Sequence, residues 1–229
     1  MVRLVKIFLL VCFVIGITNV GAQPFSNEMA AFKKQDAVSF PPKNEILFVG
    51  SSSFRMWKDV KTAFPNHTII NRGFGGSALP DVIRYADEII FPYQPKQIVI
   101  YCGENDIASS DTVTGEMTKD RFTILFELIR NKLPDVPVVF VSIKPSPSRW
   151  KMKDRMITAN KLIKKYLKKQ KHTKYISVWK PMLGKDGKPL ANNTDVTFNI
   201  NGVFYTRQTN ENGTARLNIN LIPGKYILT

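Results

Sequence analysis

A chain of 229 residues, 44 % of them hydrophobic, is long enough to bury one sizeable core. Its 33 lysines and arginines against 18 acidic residues give a formal charge of +15. No nucleic-acid-binding motif accompanies that charge, so nucleic acid is excluded as the expected partner, and acidic polysaccharide or a cell surface remains. With two cysteines and two histidines in all, a zinc or iron centre has no ligand set, and no cofactor is expected.

The chain opens on the basic segment Met1 to Lys6, continues with the apolar run Ile7 to Ile17, and reaches the small residues Val20-Gly21-Ala22. These are the three regions of a secretory signal peptide, residues 1–22, too short for a comfortable membrane span. A secreted, periplasmic or cell-surface location follows as the expectation. Removal of that segment leaves Cys102 as the only cysteine, so no internal disulfide forms. A lone cysteine at the end of an apolar strand reads as a small buried hydrophobe.

Beyond the signal, Phe25, Met29 and Phe32 mark a short amphipathic helix that Pro41-Pro42 stops. Apolar, β-branched runs then occur at Ile46 to Val49, Thr68 to Ile70, Gln97 to Cys102, Val136 to Ile143 and Tyr175 to Trp179. Helical patterns lie between them, near Ser53 to Phe64, Pro80 to Ile90, Gly115 to Leu133 and Arg149 to Lys169. Short strands apolar on both faces, alternating with helices, predict an α/β fold: a three-layer αβα arrangement around a five-stranded parallel sheet. Much of the positive charge sits between Arg149 and Lys174, where Met156, Ala159, Ile163, Tyr166 and Leu167 recur at helical spacing. The lysines between them read as a solvated helix face.

After Gly187 the pattern changes. Val196, Phe198 and Ile200 alternate with polar residues, Asn201-Gly202 and Asn212-Gly213 suit hairpin turns, and Leu217, Ile219 and Leu221 alternate again. This predicts antiparallel β structure over 187–229, joined to the α/β domain (23–186) near Asp186 to Leu190.

In a parallel α/β sheet, ligands gather at the carboxyl ends of the strands. Three motifs fall there: Gly50-Ser51-Ser52-Ser53, Asn71-Arg72-Gly73-Phe74-Gly75-Gly76-Ser77, and Gly103-Glu104-Asn105-Asp106. Each alone is weak. Serines after a strand are good helix N-caps, glycines may simply make a tight turn, and the third motif could be any loop.

Together, in this order and on these strand ends, they resemble the SGNH hydrolases, the GDSL-like lipase and acylhydrolase superfamily, over about residues 25–189. The first block departs from the family's Gly-Asp-Ser by carrying Ser51 in place of the aspartate. The resemblance implies the flavodoxin-like SGNH fold. It also implies Ser52 as nucleophile, with the backbone N–H groups of Ser52 and Gly76 and the side-chain amide of Asn105 as oxyanion donors. The substrate so implied is a small acyl ester or an acylated carbohydrate. Such chemistry needs an activated hydroxyl and donors aimed where the carbonyl oxygen becomes negative.

The family's general base is a histidine in an Asp-x-x-His block after the fifth strand, and the segment after Trp179, "KPMLGKDGKPLANNTDVTF", contains no histidine. His67 and His172 each precede a strand, which puts them at the other end of the sheet. Asp186 matches a residue ahead of the family's block and is given no catalytic role. The stretch from about Gly187 to Thr229 resembles part of an Ig-like, adhesin-like surface repeat, so Asp186 to Pro189 reads as a junction in a chimeric chain. Two functions therefore stand: an exported serine esterase impaired by the missing base, or a non-catalytic surface or carbohydrate-binding protein.

Overall fold

The structure, a computed structural model, describes residues 23–190, 195–200, 203–209 and 215. The expected signal peptide, the two Asn-Gly turns and the alternation at Leu217 to Leu221 lie outside the described residues.

In chain order the elements are α1 (Ser26–Val38), β1 (Ile46–Gly50), α2 (Ser52–Arg55), α3 (Val60–Ala63), β2 (Ile69–Gly73), α4 (Leu79–Arg84), α5 (Ala86–Ile89), β3 (Gln97–Tyr101), α6 (Glu104–Ala108), α7 (Gly115–Lys132), β4 (Val138–Val141), α8 (Lys153–Leu167), β5 (Thr173–Ile176), β6 (Asp195–Ile200) and β7 (Val203–Gln208). The strands β1 to β5 form one parallel sheet in the order β2-β1-β3-β4-β5. The expected α/β architecture is therefore present. β6 and β7 pair antiparallel in a separate two-stranded sheet.

Alternation within the strands divides the core between two faces. Leu47, Val49, Ile98, Ile100, Val138 and Phe140 point to one side, where they meet Met29 of α1, Val82 of α4, Phe122 and Phe126 of α7, and Ile163 of α8. Phe48, Val99, Tyr101 and Val139 point to the other and meet Phe54 and Val60 of α2 and α3. In α7, Phe122, Leu125, Phe126 and Ile129 recur on one buried stripe. Each such fully buried side chain is worth roughly 1.5–3 kcal/mol.

Several boundaries differ from the sequence reading. The predicted helix Ser53 to Phe64 is two single-turn pieces, because the rings of Phe54, Trp57 and Phe64 all converge on Phe48, with centroids 4.7, 6.2 and 6.0 Å away. The last strand ends at Ile176 rather than reaching Trp179. Val178 N–H leaves the ladder to donate to Ser142 Oγ at 2.9 Å, and Trp179 stacks on Trp150.

The edge strand β2 extends to Gly73 and closes off part of its own free edge. Arg72 Nη1 donates to Asn71 O at 3.2 Å, and Gly73 N–H donates to Asn71 Oδ1 at 3.0 Å. These bonds occupy backbone groups that would otherwise invite another strand. The Arg72 side chain is buried and paired with Asp36 of α1, and Tyr93 O–H joins them, accepting from Arg72 Nε at 2.7 Å and donating to Asp36 Oδ2 at 2.5 Å. That network fastens α1 to the sheet. As the sequence suggested, Lys161, Lys164 and Lys165 of α8, and Lys168 just past its end, are exposed.

Candidate active site at the strand ends

The first loop is shaped by Gly50. Its φ is +128°, and a Cβ there would lie 2.0 Å from Tyr101 O, so only glycine lets β1 turn this close to β3. Ser51 N–H donates to Tyr101 O at 2.9 Å, and Ser51 O accepts from Phe54 N and Arg55 N to start α2. The helix start carries no side-chain cap, so the N-capping that serines after a strand allow is not what these serines do here. With four residues, α2 also gives Ser52 little of the helix-dipole benefit that a longer helix supplies.

Three consecutive serines have three different situations. Ser51 is buried, and its Oγ accepts from Asn105 Nδ2 at 3.3 Å. The Ser53 side chain lies near the Tyr101 hydroxyl, whose pKa it pulls down against the larger effects of burial and the Glu104 charge. Ser52 is half-buried, and its hydroxyl has no hydrogen-bond partner among the described residues.

The second loop follows β2. Phe74 N–H donates to Gly50 O at 2.9 Å, and the fully buried Ser77 directs its hydroxyl at Gly50 O and Phe74 O, each 3.1 Å away. Between these buried anchors Gly76 is exposed, with φ +81°. A Cβ at Gly76 would meet only the Phe25 ring, at 4.0 Å. Glycine is required there by the backbone conformation rather than by crowding.

The third loop follows β3. Asn105 Nδ2 donates to Ser77 O at 2.9 Å and, at longer range, to Ser51 Oγ. Asp106, fully buried, accepts from Leu79 N–H at 2.9 Å and from Arg121 Nη1 at 3.0 Å. Burial pushes the Asp106 carboxyl up from its ordinary value, while Leu79 N–H and Arg121 pull it back. Burial likewise holds the Cys102 thiol well above its usual range, so this cysteine is an inert neutral packing group.

The three loops are thus hydrogen-bonded into one unit: the first to the second through Gly50 O, the first to the third through Ser51, the second to the third through Ser77 O and Leu79 N–H. Asn71 Nδ2 adds a bond to Phe54 O at 2.7 Å, tying β2 to α2. In each loop the site residue named from sequence is more open than a buried neighbour: half-buried Ser52 beside Ser51, exposed Gly76 beside Ser77, half-buried Asn105 between Glu104 and Asp106.

Sequence reasoning missed the charged group behind Asn105. Arg149 was read as part of a solvated basic face; the structure turns it inward. Its Nη1 lies 3.3 Å from Glu104 Oε1 and its Nη2 donates to Asn105 Oδ1 at 3.0 Å. Glu104 Oε2 accepts from the Tyr101 hydroxyl at 2.8 Å, and Lys144 Nζ lies 3.8 Å away. The buried environment and the Glu104 charge hold Tyr101 far above its ordinary value, so it remains a donor. Nothing local in the sequence flags Arg149, because its partners lie more than 40 residues upstream.

Both histidines are exposed at the amino ends of strands, His67 ahead of β2 and His172 ahead of β5. Neither is at the site. Asp186 Oδ1 accepts from Lys188 N–H and serves a turn. A cavity of about 690 Å³ runs beside the edge strand β2, lined by Phe32, Phe40, Arg55, Trp57 and Asn71 among others, but not by Ser52, Gly76 or Asn105.

No protein-family model and no curated protein matches the chain. Solved structures do match. A protein of Streptococcus pneumonia named as a platelet activating factor aligns with a TM-score of 0.62 at 16 % identity, over 73 % of this chain and 81 % of that one. A GDSL-like lipase from Bacteroides thetaiotaomicron gives 0.57 at 22 % identity, over 70 % and 82 %. A Bacteroides fragilis protein named as an acylhydrolase gives 0.57 at 19 % identity, over 73 % and 81 %. At these identities the likeness is one of fold: the αβα arrangement of this chain is that of the GDSL-like lipase.

Proposed function

We propose that the chain is a serine hydrolase of the SGNH type acting on acyl esters, with Ser52 as nucleophile and Ser52 N–H, Gly76 N–H and Asn105 Nδ2 as oxyanion donors. The observation that carries this reading is the contrast among the serines. The Ser51 hydroxyl accepts from Asn105 and the Ser53 side chain lies near the Tyr101 hydroxyl, while the Ser52 hydroxyl has no partner among the described residues and follows directly on the serine that the Asn105 amide contacts.

In the reaction, Ser52 Oγ attacks the acyl carbon and the carbonyl oxygen becomes an oxyanion held by the three donors. The ester C–O bond then breaks, the alcohol leaves with a proton, and water attacks the acyl-enzyme to regenerate Ser52. No histidine of this chain stands ready to take the Ser52 proton, so it passes to water. Elsewhere, an oxyanion hole and binding without a complete triad retain a residual acceleration of about 10³ to 10⁴ over water. Turnover of activated esters is accordingly expected to be slow but dependent on Ser52.

Small acyl esters, including acylated carbohydrates, are the substrate class this reading favours, and the net positive charge suits an acidic polysaccharide or cell surface. The same proposal takes residues 1–22 as an export signal, 23–186 as the hydrolase domain and 187–229 as a partial Ig-like segment, for which the antiparallel pair of β6 and β7 is the support. A second reading, a non-catalytic surface or carbohydrate-binding protein, is favoured by one observation: both histidines lie at the far end of the sheet. Hydrolysis of p-nitrophenyl acetate by the native chain and by Ser52→Ala separates the two. A slow rate lost in the alanine variant supports the hydrolase; equal rates would leave the binding protein.

A further inference from the structure

The hydrolase reading needs Asn105 to present nitrogen, not oxygen, to the oxyanion. A side-chain amide has nearly the same shape either way round, so its neighbours decide which end points where. On one side of Asn105 stand two acceptors, Ser77 O at 2.9 Å and Ser51 Oγ at 3.3 Å. On the other stands Arg149 Nη2, 3.0 Å from Oδ1. A guanidinium has five N–H donors and no acceptor. Only the amide oxygen can face it, which turns both amide hydrogens toward the strand ends.

Arg149 is itself aimed by the group behind it. Glu104, 8 % exposed, takes Arg149 Nη1 at 3.3 Å on one oxygen and the Tyr101 hydroxyl at 2.8 Å on the other. The guanidinium therefore bridges Glu104 and Asn105, adjacent residues in the first turn of α6, with two different nitrogens. The two hydrogens of Nδ2 are also unequal. The one on Ser77 O is held at 2.9 Å, whereas the one on Ser51 Oγ spans 3.3 Å and is the one an oxyanion can take at small cost.

Resting on the hydrolase reading above, we propose that Arg149 is a positioning residue of the oxyanion hole, setting the polarity of the Asn105 amide without touching the substrate. Arg149→Met removes the donor that holds Oδ1 and lets the amide turn over. A lysine at this place still offers only donors, but it cannot bridge Glu104 and Asn105 as a fork does.

The test is a double-mutant cycle of Arg149→Met and Asn105→Ala, with kcat and KM for p-nitrophenyl acetate measured separately and Ser52→Ala as blank. Acting through Asn105, Arg149→Met lowers kcat about tenfold or more with KM within about twofold, and adds less than about twofold once Asn105 is alanine. Arg149→Lys, a gentler change for folding, loses less than Arg149→Met. The proposal is overturned if Arg149→Met multiplies the loss equally in both backgrounds, if it raises KM alone, or if Arg149→Lys is folded and as slow as Asn105→Ala. A different result, in which Ser52→Ala and Asn105→Ala keep the native rate, removes the hydrolase reading itself.

Discussion

Two networks in this molecule, one buried and one partly buried, are built from the same three parts, an arginine, a carboxylate and a tyrosine hydroxyl, and they do different work. At the edge strand, Arg72, Asp36 and Tyr93 bond chiefly to one another and to the backbone of Asn71. The guanidinium also lies over the rings of Phe32 and Tyr93, at 5.0 and 4.8 Å. That set is closed, and its output is mechanical: α1 is fastened to the sheet. At the strand ends, Arg149, Glu104 and Tyr101 form a similar set, but Arg149 directs one nitrogen out of the set to Asn105, a half-buried residue whose amide nitrogen contacts the other two loops. An open network of this kind can hand its geometry to a reacting atom.

The comparison can be broken most strongly at its closed member. Asp36→Ala leaves Arg72, whose side chain is 7 % exposed, without its carboxylate, and breaking such a pair costs about 3–5 kcal/mol. Urea denaturation should show that loss while kcat per folded molecule stays unchanged. Asn105→Ala should do the reverse: a fall in kcat of about 10² to 10³ with little change in the urea midpoint. Equal effects of both substitutions on both readouts would dissolve the distinction.

The closed network also has a pH signature. Burial is the main reason the Tyr93 phenol is raised from 10.0 to about 12, with Arg72 opposing and Asp36 reinforcing the shift. A group raised in the folded state contributes stability fully below its unfolded value and loses it as pH climbs through the folded one. This contribution, on the order of 2 kcal/mol, should therefore vanish between about pH 10 and 12 in native chains. Tyr93→Phe should make that part of the stability profile less steep, the fall that remains coming from other raised phenols such as Tyr101, and thermal melts across the range can follow it. The smallest expected effect belongs to the histidines. His67→Gln and His172→Gln should each leave p-nitrophenyl acetate hydrolysis within about twofold of native, because both side chains are exposed at the far end of the sheet.

How much of this was legible in the sequence follows the range of the interactions. Apolar runs such as Ile46 to Val49 announced their strands, because a strand covered on both faces must be apolar throughout. The three motifs, read together, named Ser52, Gly76 and Asn105, and the structure brings their loops together by hydrogen bonds. What escaped was long-range. Helix continuity after Ser53 gave way to ring packing on Phe48, a choice that propensity cannot express. Arg149 sits in a lysine-rich stretch and looks like its neighbours. Its partner Asn105 lies 44 residues away, and only the fold brings them together.

The claim on which the account turns is that Ser52, among three consecutive serines, is the nucleophile. A fluorophosphonate reacts with a nucleophilic serine by attack of Oγ on phosphorus and departure of fluoride, slowly where the proton passes to water, and leaves a stable covalent adduct that accumulates on long exposure. Treating the native chain and Ser52→Ala with this probe and mapping the adduct by peptide mass spectrometry tests it directly. The account predicts a single adduct on Ser52 that disappears in the alanine variant. An adduct on Ser51 or Ser53, labelling that survives in Ser52→Ala, or no adduct on the folded native chain would contradict it.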